Sequence, residues 1–492
     1  MSNSSDKDSV EAFSGDGYNP NAEDGASLTE VVTQFTESNI ENGSARLYEE
    51  ERLKSKMEHR EPPPQPIKYP FFSAQNKPMR SKMMKIIPTI MLIFTVFILS
   101  VWSIYWGAMY NRQDRYVNMK VLVALEEDAS GFVSQALIDT TRDPELETLA
   151  TWELNGFTGG EAVKKSVYDE DYWAAIYVTG DISSEITTGF LTASSLNLTD
   201  AVMGYFETGR DYVTVGADII PTLLLFNNKF RDILQSKYYP QLVDNLTDSS
   251  YVQLKNTNVL TSYPDINFED GAPAPSTVIL GPTQVGLIYM IIITFFQVMW
   301  LQQLHQLVAS AVNTRAYLIY RMVIPHAFYL VTAMAFACLN RAFQIPMNNS
   351  WSGGFGVLWM IAYVTMAAVG GANENMFLIC SCTFPPLIGF WMLFFVIINI
   401  SGTFSPLALC PEFYRFTYMM PIKCGAELMK VLFYNTTRKA VGRCFGILIA
   451  WIVVNNALLP FCLMFFSRTM HKKIKAEQLA KLEKEAKENG KA

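Results

Sequence analysis

Long apolar runs separated by polar stretches dominate the pattern of hydrophobic and polar positions along this chain. The first run extends from Ile86 to Tyr110, 25 residues without an Asp, Glu, Lys or Arg. About 20 helical residues cross the hydrocarbon core of a bilayer, so this run predicts a transmembrane helix, TM1. It lies too far along the chain and is too long for a signal peptide, and no small-residue cleavage site follows it.

Five further apolar runs predict five more spans, each helical because lipid offers no partner for open backbone polar groups. We therefore expect a polytopic α-helical membrane protein with about six transmembrane helices. Half of the residues are apolar and only 17% are charged, which excludes an ordinary soluble enzyme. The membrane domain 279–466 holds TM2 to TM6, with predicted bounds 279–304, 322–339, 355–372, 377–400 and 445–466.

Basic residues predict the direction in which the chain crosses. Lys77, Arg80, Lys82 and Lys85 precede TM1 without an intervening acid, and a second basic stretch follows the last span. By the positive-inside rule, both termini are expected in the cytoplasm. The basic residues within 401–444 argue against this orientation, because six crossings place that stretch outside.

The stretch 401–444 has its own composition. It is too polar and Pro-rich to cross the membrane, yet apolar enough to enter the outer leaflet as short helices. We therefore expect an outer re-entrant or interfacial segment between the last two spans.

The parts outside the membrane differ in kind. Residues 1–85 begin as an acidic segment expected to be disordered and become Pro-rich before the membrane. Residues 111–278 alternate strand-like and helix-like stretches, which predicts an extracytoplasmic α/β (or α+β) domain between helices 1 and 2. Residues 467–492 are basic and rich in helix formers, so a helical cytoplasmic tail is expected.

Charge narrows the choice of partners. The whole chain has a formal net charge of −7, and residues 111–277 contain 25 acids against 11 bases. Nucleic acid is therefore excluded as a partner, since binding its phosphates needs a basic face. The acids lack the spacing of a calcium-binding loop, so their simpler role is solubility at a cell surface.

Motifs of known catalytic chemistry are missing from the sequence. Four histidines are scattered along it, and there is no H-E-x-x-H, no G-x-S-x-G and no phosphate-binding G-x-x-x-x-G-K-[ST]. We expect neither an enzyme nor an ATPase, and no catalytic residue, cofactor or metal site is predicted. Any energised transport would need an ATPase from another chain.

Short motifs on the predicted outer side suggest modifications. Cys410 and Cys424 share the stretch 401–444 and either form a disulfide or stay free, whereas the domain has no cysteine. Asn3 and Asn42 match the glycosylation sequon but lie on the predicted cytoplasmic side. The candidate glycosylation sites are Asn197, Asn245, Asn348 and Asn435.

Prolines and amides inside the predicted spans are candidates for a pathway or hinge. Pro385 and Pro386 interrupt the fifth span and predict a kink, which is either a packing feature or a hinge. Asn455 and Asn456 lie at the midpoint of the sixth span, where unpaired amides are costly. Interhelical hydrogen bonding is the alternative role for these amides and for Asn399.

Three patches of the sequence resemble a known family. Residues 117–131 are similar to its strand ending in an acidic turn, and 171–178 to its central Tyr-Trp-Ala-Ala-Ile strand. Residues 399–430 resemble its signature between the last two spans. The matching positions are Asp128, Gly131, Tyr172, Trp173, Ser401, Gly402, Pro406 and Pro421. With one span, a large outer domain and five clustered spans, the chain resembles type-2 ABC permeases. It looks most like the phage-infection-protein branch and the fungal nitrosoguanidine-resistance membrane proteins.

The resemblance implies a fungal plasma-membrane protein that contributes to resistance to nitrosoguanidine and other toxic compounds, or to phospholipid distribution between leaflets. Two classes of function stay open. In the first, the protein is a permease without its own ATPase that moves membrane lipids or amphipathic toxic small molecules. In the second, it is a non-transporting regulator or scaffold that acts on a flippase or drug pump. A second copy of the chain or another membrane protein is an expected partner in either class.

Overall fold

The computed structural model describes residues 69–489, except 127–128, 157–158, 245, 247–250, 253 and 256. The predicted disordered tail with its two sequons, Asp128 of the first family-like patch and the sequon at Asn245 all lie outside the described residues. Within them, the chain forms a helical bundle and an α/β domain that packs on one end of it.

The first apolar run forms a helix that stands almost alone. α1 (Lys77–Phe97) continues through the π-helical turn Ile98–Trp102 into α2 (Ser103–Met109). The segment Ala74–Met109 is long and apolar enough to cross a membrane, yet only 6% of its most apolar 18-residue stretch is buried. Its apolar side chains are therefore left to contact lipid.

A five-stranded mixed sheet forms the centre of the domain that follows. The strand order is β2-β1-β3-β4-β5, with β1 parallel to β2 and β3, β4 antiparallel to β3, and β5 parallel to β4. β3 is buried along its whole length, as expected for a central strand of continuous apolar sequence. The strands are β1 (Lys120–Leu125), β2 (Thr151–Asn155), β3 (Ala174–Val178), β4 (Val202–Phe206) and β5 (Ile266–Asp270).

Helices cover both faces of this sheet. The larger apolar core packs under α3, α4, α6, α7 and α8, and α5 covers the other face. Asp143 and Asp181 cap α4 and α6 by accepting hydrogen bonds from backbone N–H groups of the first turn. The helices are α3 (Phe132–Thr141), α4 (Pro144–Glu147), α5 (Gly160–Tyr168), α6 (Ile182–Thr192), α7 (Ile220–Ile233) and α8 (Tyr239–Asp244).

Six helices follow the domain and build the bundle. Counting the first span, five helices in the described part of the chain are long and apolar enough to cross a membrane. The protein is therefore a multi-pass membrane protein. The bundle helices are α9 (Gly286–Ala311), α10 (Thr314–Ala342), α11 (Gly354–Thr383), α12 (Leu387–Ile400), α13 (Pro421–Tyr434) and α14 (Val441–Asn489).

α11 lies at the centre of the bundle and contacts the other five helices. Two adjacent glycines on α11 let its neighbours come close. A β-carbon at Gly370 would lie 2.4 Å from the Tyr329 ring of α10, and one at Gly371 would lie 2.8 Å from Asn455 of α14. Small residues at such positions are typical of closely packed membrane helices.

The predicted boundary between the fourth and fifth spans is wrong. α11 continues to Thr383, past the predicted start of the fifth span, and α12 has only 14 residues. Pro385 and Pro386 form the exposed turn between the two helices, because a prolyl nitrogen cannot continue the hydrogen-bonding of α11. The expected kink within a span is a chain reversal instead. α12 is about 21 Å long, less than a bilayer core of about 30 Å, yet it runs back along α11 and returns the chain to the end where α13 lies.

Residues 401–434, here called the junction segment, connect α12 to the last span. Two 3₁₀ turns, Leu407–Leu409 and Glu412–Met419, precede α13. α13 is also about 21 Å long, too short to cross, and is largely buried. The disulfide considered from the sequence is not formed. Cys410 packs against the first span, whereas Cys424 faces the bundle core, and both are free thiols.

Because successive spans alternate in direction, the bundle has two ends. We name the end that contacts the α/β domain the domain face. The other end, where α14 extends towards the C-terminus, is the tail face.

Candidate functional site

A cavity of about 330 Å³ lies where the α/β domain meets the junction segment and the start of α14. The domain contributes Trp173 and Arg210, and the junction segment contributes Pro406 and Lys430. Two of the three family-like patches, 171–178 and 399–430, thus meet at one place. We call this space the junction cavity.

A triad of charged side chains on α13 lines one wall of the junction cavity. The Glu427 carboxylate lies 3.1 Å from the Lys423 ammonium and 2.7 Å from that of Lys430. Burial by itself raises the pKa of Glu427, but the two lysines lower it to about 2. Glu427 is therefore ionised and offsets the charge of one lysine, which leaves this wall with one net positive charge.

Arg210 comes from the turn that follows β4 and faces the same cavity. Its guanidinium donates to the backbone carbonyls of Tyr172 and Glu170 and lies 4.0 Å from the centre of the Trp173 ring. Among the described residues, no carboxylate oxygen lies within 4.0 Å of this guanidinium. Backbone carbonyls and an aromatic face hold it, and the carboxylates of Glu170 and Asp211 act on it only from beyond ion-pairing distance.

Two cations complete the lining, Lys439 just before α14 and Arg443 in its first turn. Lys439 lies 3.6 Å from the Asp169 carboxylate and is thereby tied to the domain. Arg443 lies 5.0 Å from the centre of the Tyr418 ring, without a carboxylate within 4.0 Å in the described part of the chain. The lining has five cationic side chains and three carboxylates: Arg210, Lys423, Lys430, Lys439, Arg443, Glu170, Asp211 and Glu427.

Inside the bundle, Arg321 of α10 and Glu374 of α11 form a buried ion pair. The Arg321 Nη2 and Nε atoms donate to Glu374 Oε1 at 2.6 and 3.0 Å, and the two side chains are 4% and 6% exposed. The Tyr317 hydroxyl accepts a third hydrogen bond from Arg321 at 3.2 Å. Ionisable residues at membrane depth are costly and are found mainly where they serve a pathway or a switch.

Amides on either side of Glu374 extend this polarity through the bundle. Asn373 donates to the Thr294 hydroxyl of α9 at 3.1 Å, and Asn375 donates to Asn455 Oδ1 of α14 at 3.2 Å. These bonds join three helices around the centre of the bundle.

A second set of polar contacts lies nearer the domain face and begins at Asn456, the sequence neighbour of Asn455. Asn456 lies 3.2 Å from His326 Nε2, and His326 Nδ1 lies 3.2 Å from the Tyr363 hydroxyl of α11. From Tyr363 to Glu374 the line covers about 16 Å at 1.5 Å per residue, about half of a 30 Å hydrocarbon core. We call this set the polar line: Arg321, Glu374, Asn373, Asn375, Asn455, Asn456, His326 and Tyr363.

The polar line begins at a second cavity, of about 310 Å³, on the tail face. Six of its lining residues are polar, among them Arg321 and His305, but most of the surface that faces the cavity is apolar. The apolar lining includes Val298, Phe377, Leu378, Phe466 and Met470.

Most of the chain is similar to known sequences. The profile of DUF3533, described as a protein of unknown function, matches residues 90–457. The chain belongs to the DUF3533 family. It is also 30% identical, over 434 residues, to an uncharacterized endoplasmic reticulum membrane protein of Saccharomyces cerevisiae, covering 82% of this chain and 84% of that relative. No solved structure matches the chain.

The structure brings together only part of the predicted pathway of this DUF3533 protein. Asn455 and Asn456 join the polar line, whereas Pro385 and Pro386 lie in an exposed turn outside it. Asn399 is buried elsewhere, where its Oδ1 accepts from the Ile422 N–H at 3.4 Å and ties α12 to α13.

The remaining candidate positions from the sequence of this DUF3533 protein lie mainly in structural contacts or at the surface. Gly131 precedes α3, and Tyr172 donates to Glu153 at 3.0 Å. A β-carbon at Gly402 would lie 2.4 Å from the Thr417 hydroxyl, so this site requires glycine. Ser401 is buried and Pro421 opens α13. Three sequons have exposed Asn side chains on the side of the domain: Asn197, Asn348 and Asn435.

Sequence reasoning missed the central members of the polar line. Arg321, Glu374, Asn373 and Asn375 were not among the candidates, although a signal was present. Glu374 is the only acid between residues 278 and 411 and stands between two amides in an apolar run. An acid in so long an apolar run is a functional candidate on its own, although Glu374 falls between the predicted bounds of the fourth and fifth spans.

Proposed function

We propose that this protein is a permease-like membrane protein that passes amphipathic molecules between the two faces of a membrane. Phospholipids and toxic compounds such as nitrosoguanidine are the proposed substrates, and the chain needs no ATPase of its own for downhill movement. The observation that carries the proposal is the polar line, which leads from the tail-face cavity towards the domain face.

Unpaired polar atoms in the bundle support this route. Among the described residues, the Gln297 amide, the Tyr329 hydroxyl and Asn375 Oδ1 are buried and have no hydrogen-bond partner. A buried polar group without a partner costs about 1–3 kcal/mol, and native proteins retain few of them. A polar headgroup or water that passes along the bundle supplies the missing partners.

The tail-face cavity suits an amphipathic molecule. Its apolar walls match a hydrocarbon or aromatic moiety, and Arg321 and His305 offer donors to a polar group. Binding of such a polar group competes with Glu374 for Arg321, which couples substrate entry to the buried ion pair.

The proposed location is the plasma membrane, with both termini in the cytoplasm. The basic residues that flank the first and last spans support this orientation. The yeast relative is named as an endoplasmic reticulum membrane protein, and fluorescence microscopy of a C-terminally tagged chain distinguishes the two membranes.

A reconstitution experiment tests the proposal. Purified protein in phospholipid vesicles should move a fluorescently labelled phospholipid between leaflets, measured by quenching of the label in the outer leaflet. A double variant, Arg321→Met with Glu374→Leu, replaces the ion pair by apolar side chains of similar volume. Such replacements are often neutral for stability, whereas removing one partner alone costs about 3–5 kcal/mol. We expect the double variant to fold and to lose most of the flux.

A matched control is available on the domain face. Arg415 and Glu412 form an exposed ion pair, with 71% and 83% of their side chains accessible. The double variant Arg415→Met with Glu412→Leu should keep full flux. Full flux in the Arg321/Glu374 variant would show that the polar line is only packing. No flux in the wild type would favour the alternative function, a regulator. Co-purification would then be used to find the flippase or drug pump on which it acts.

A further inference from the structure

The junction cavity has an excess of positive charge. Its lining includes five cations against three carboxylates. Glu427 neutralises one of two lysines, and neither Arg210 nor Arg443 has a carboxylate within 4.0 Å among the described residues. A cavity that gathers cations from the domain, from α13 and from α14 suits a ligand with several anionic oxygens.

The surroundings of the cavity add an apolar component. Trp173 and Leu407 contribute to the lining, and Phe413 and Met419 of the same junction segment are 68% and 66% exposed. Exposed apolar side chains next to a membrane bundle are suited to contact with acyl chains. A volume of about 330 Å³ holds a headgroup but not a whole lipid.

We propose that the junction cavity binds the phosphate group of a ligand, contacted by Lys430, Arg443 and Arg210. A phospholipid headgroup and a soluble phosphate ester share this chemistry. A phosphate presents several acceptor oxygens and at least one negative charge, which matches cations arriving from three directions. The site is distinct from the polar line and does not depend on transport.

Changes at Glu427 and at Lys430 should affect anion binding in opposite directions. In the structure the Glu427 carboxylate is ion-paired with Lys430, which a phosphate would contact, and with the neighbouring Lys423. Removing the carboxylate therefore frees both lysines and strengthens anion binding. Removing Lys430 weakens it. A purely structural ion pair would respond in the same direction to both changes.

The test uses full-length protein in a phosphate-free maltoside detergent. Binding of inorganic phosphate, a short-chain phosphatidate and acetate is measured by isothermal titration calorimetry. We expect Lys430→Gln to weaken binding of the phosphate-bearing probe by at least about tenfold, the loss of one charge-assisted hydrogen bond. Glu427→Gln should strengthen it. Lys237→Gln serves as the control, because Lys237 is an exposed, ion-paired lysine of the α/β domain that does not line the junction cavity.

Each outcome bears on the proposal. Binding of both phosphate and phosphatidate supports a site for soluble phosphates as well as lipids, and binding of phosphatidate alone supports a headgroup site. Equal binding of acetate, or no binding of any probe, overturns the proposal. So does a Glu427→Gln protein that binds more weakly than the wild type. If Lys430→Gln fails to fold, Arg443→Gln replaces it, because Arg443 contacts an aromatic ring rather than a carboxylate.

Discussion

Glu207 provides a quantitative test of the buried charge in the α/β domain. It directly follows β4, its exposed fraction is 3%, and its carboxyl group accepts a hydrogen bond from the Tyr205 hydroxyl at 3.4 Å. Burial raises the pKa of Glu207 from 4.5 to about 7, although Tyr205 and Arg210 act in the opposite direction. The folded domain therefore holds a proton that an unfolded chain has already released at neutral pH.

The sign of the effect on stability follows from this difference. Between pH 4.5 and about 7 the folded state binds more protons than the unfolded state, so the free energy of unfolding falls as pH rises. This loss of stability is absent below pH 4.5 and complete above about pH 7. A difference of about 2.5 pH units corresponds to about 3 kcal/mol. Glu207→Gln removes the titrating group and should stabilise the domain by about this amount above pH 7, with a much smaller gain near pH 4.

Hydrogen-exchange mass spectrometry of the full-length protein measures this difference. Peptides that cover β3 and β4 are followed at pH 5 and pH 8, with correction for the intrinsic pH dependence of exchange. Amides of the wild type should be less protected from exchange at pH 8 than at pH 5, and those of Glu207→Gln should lose much less protection. Glu185→Gln, an exposed acid of the same domain, should behave as the wild type. Parallel pH profiles for wild type and Glu207→Gln would refute the argument.

Two further predictions concern the junction and the orientation. Gly209→Ala should separate the domain from α13, because the new β-carbon lies 2.4 Å from Tyr434 Cβ and such overpacking costs about 1–3 kcal/mol. Faster proteolytic cleavage between domain and bundle would reveal the separation, and an unchanged rate would contradict it. Treatment with a glycan-removing enzyme should shift the wild-type protein, and replacement of Asn197 and Asn245 by Gln should reduce the shift. A glycan on Asn3 would reverse the proposed orientation.

Apolar runs carried enough information to predict a membrane protein with a small α/β domain, and the structure has both. They did not locate every helix end. The run 377–400 looked like one span because hydropathy averages over the Pro385–Pro386 turn, whereas backbone geometry ends α11 there. Hydropathy measures transfer to lipid, and a short apolar helix packed beside others satisfies the same pattern as a span.

The junction cavity and the polar line were harder to predict, because each is built from residues that are far apart in the sequence. Trp173 and Lys430 lie more than 250 positions apart in the sequence and line one cavity. Nothing local in either segment indicates the other. By contrast, Glu374 was visible as an acid within an apolar run, and its partner Arg321 lies in the neighbouring span. Pairing isolated acids with isolated bases in or directly beside the predicted spans would have found this pair.

The α/β domain is anchored to the membrane at both ends, by the first span before β1 and by α9 after β5. Docking of the domain on the junction segment is therefore an intramolecular equilibrium, with an effective concentration of about millimolar order or higher. The Asn118 amide donates to the Ala408 carbonyl at 2.9 Å and Lys430 to the Arg210 carbonyl at 3.0 Å, bonds worth about 0.5–3 kcal/mol each. Weak bonds suffice to keep a doubly tethered domain closed. Cleavage of one tether would therefore lower the effective concentration that favours docking, while the contacts of the docked domain would stay the same.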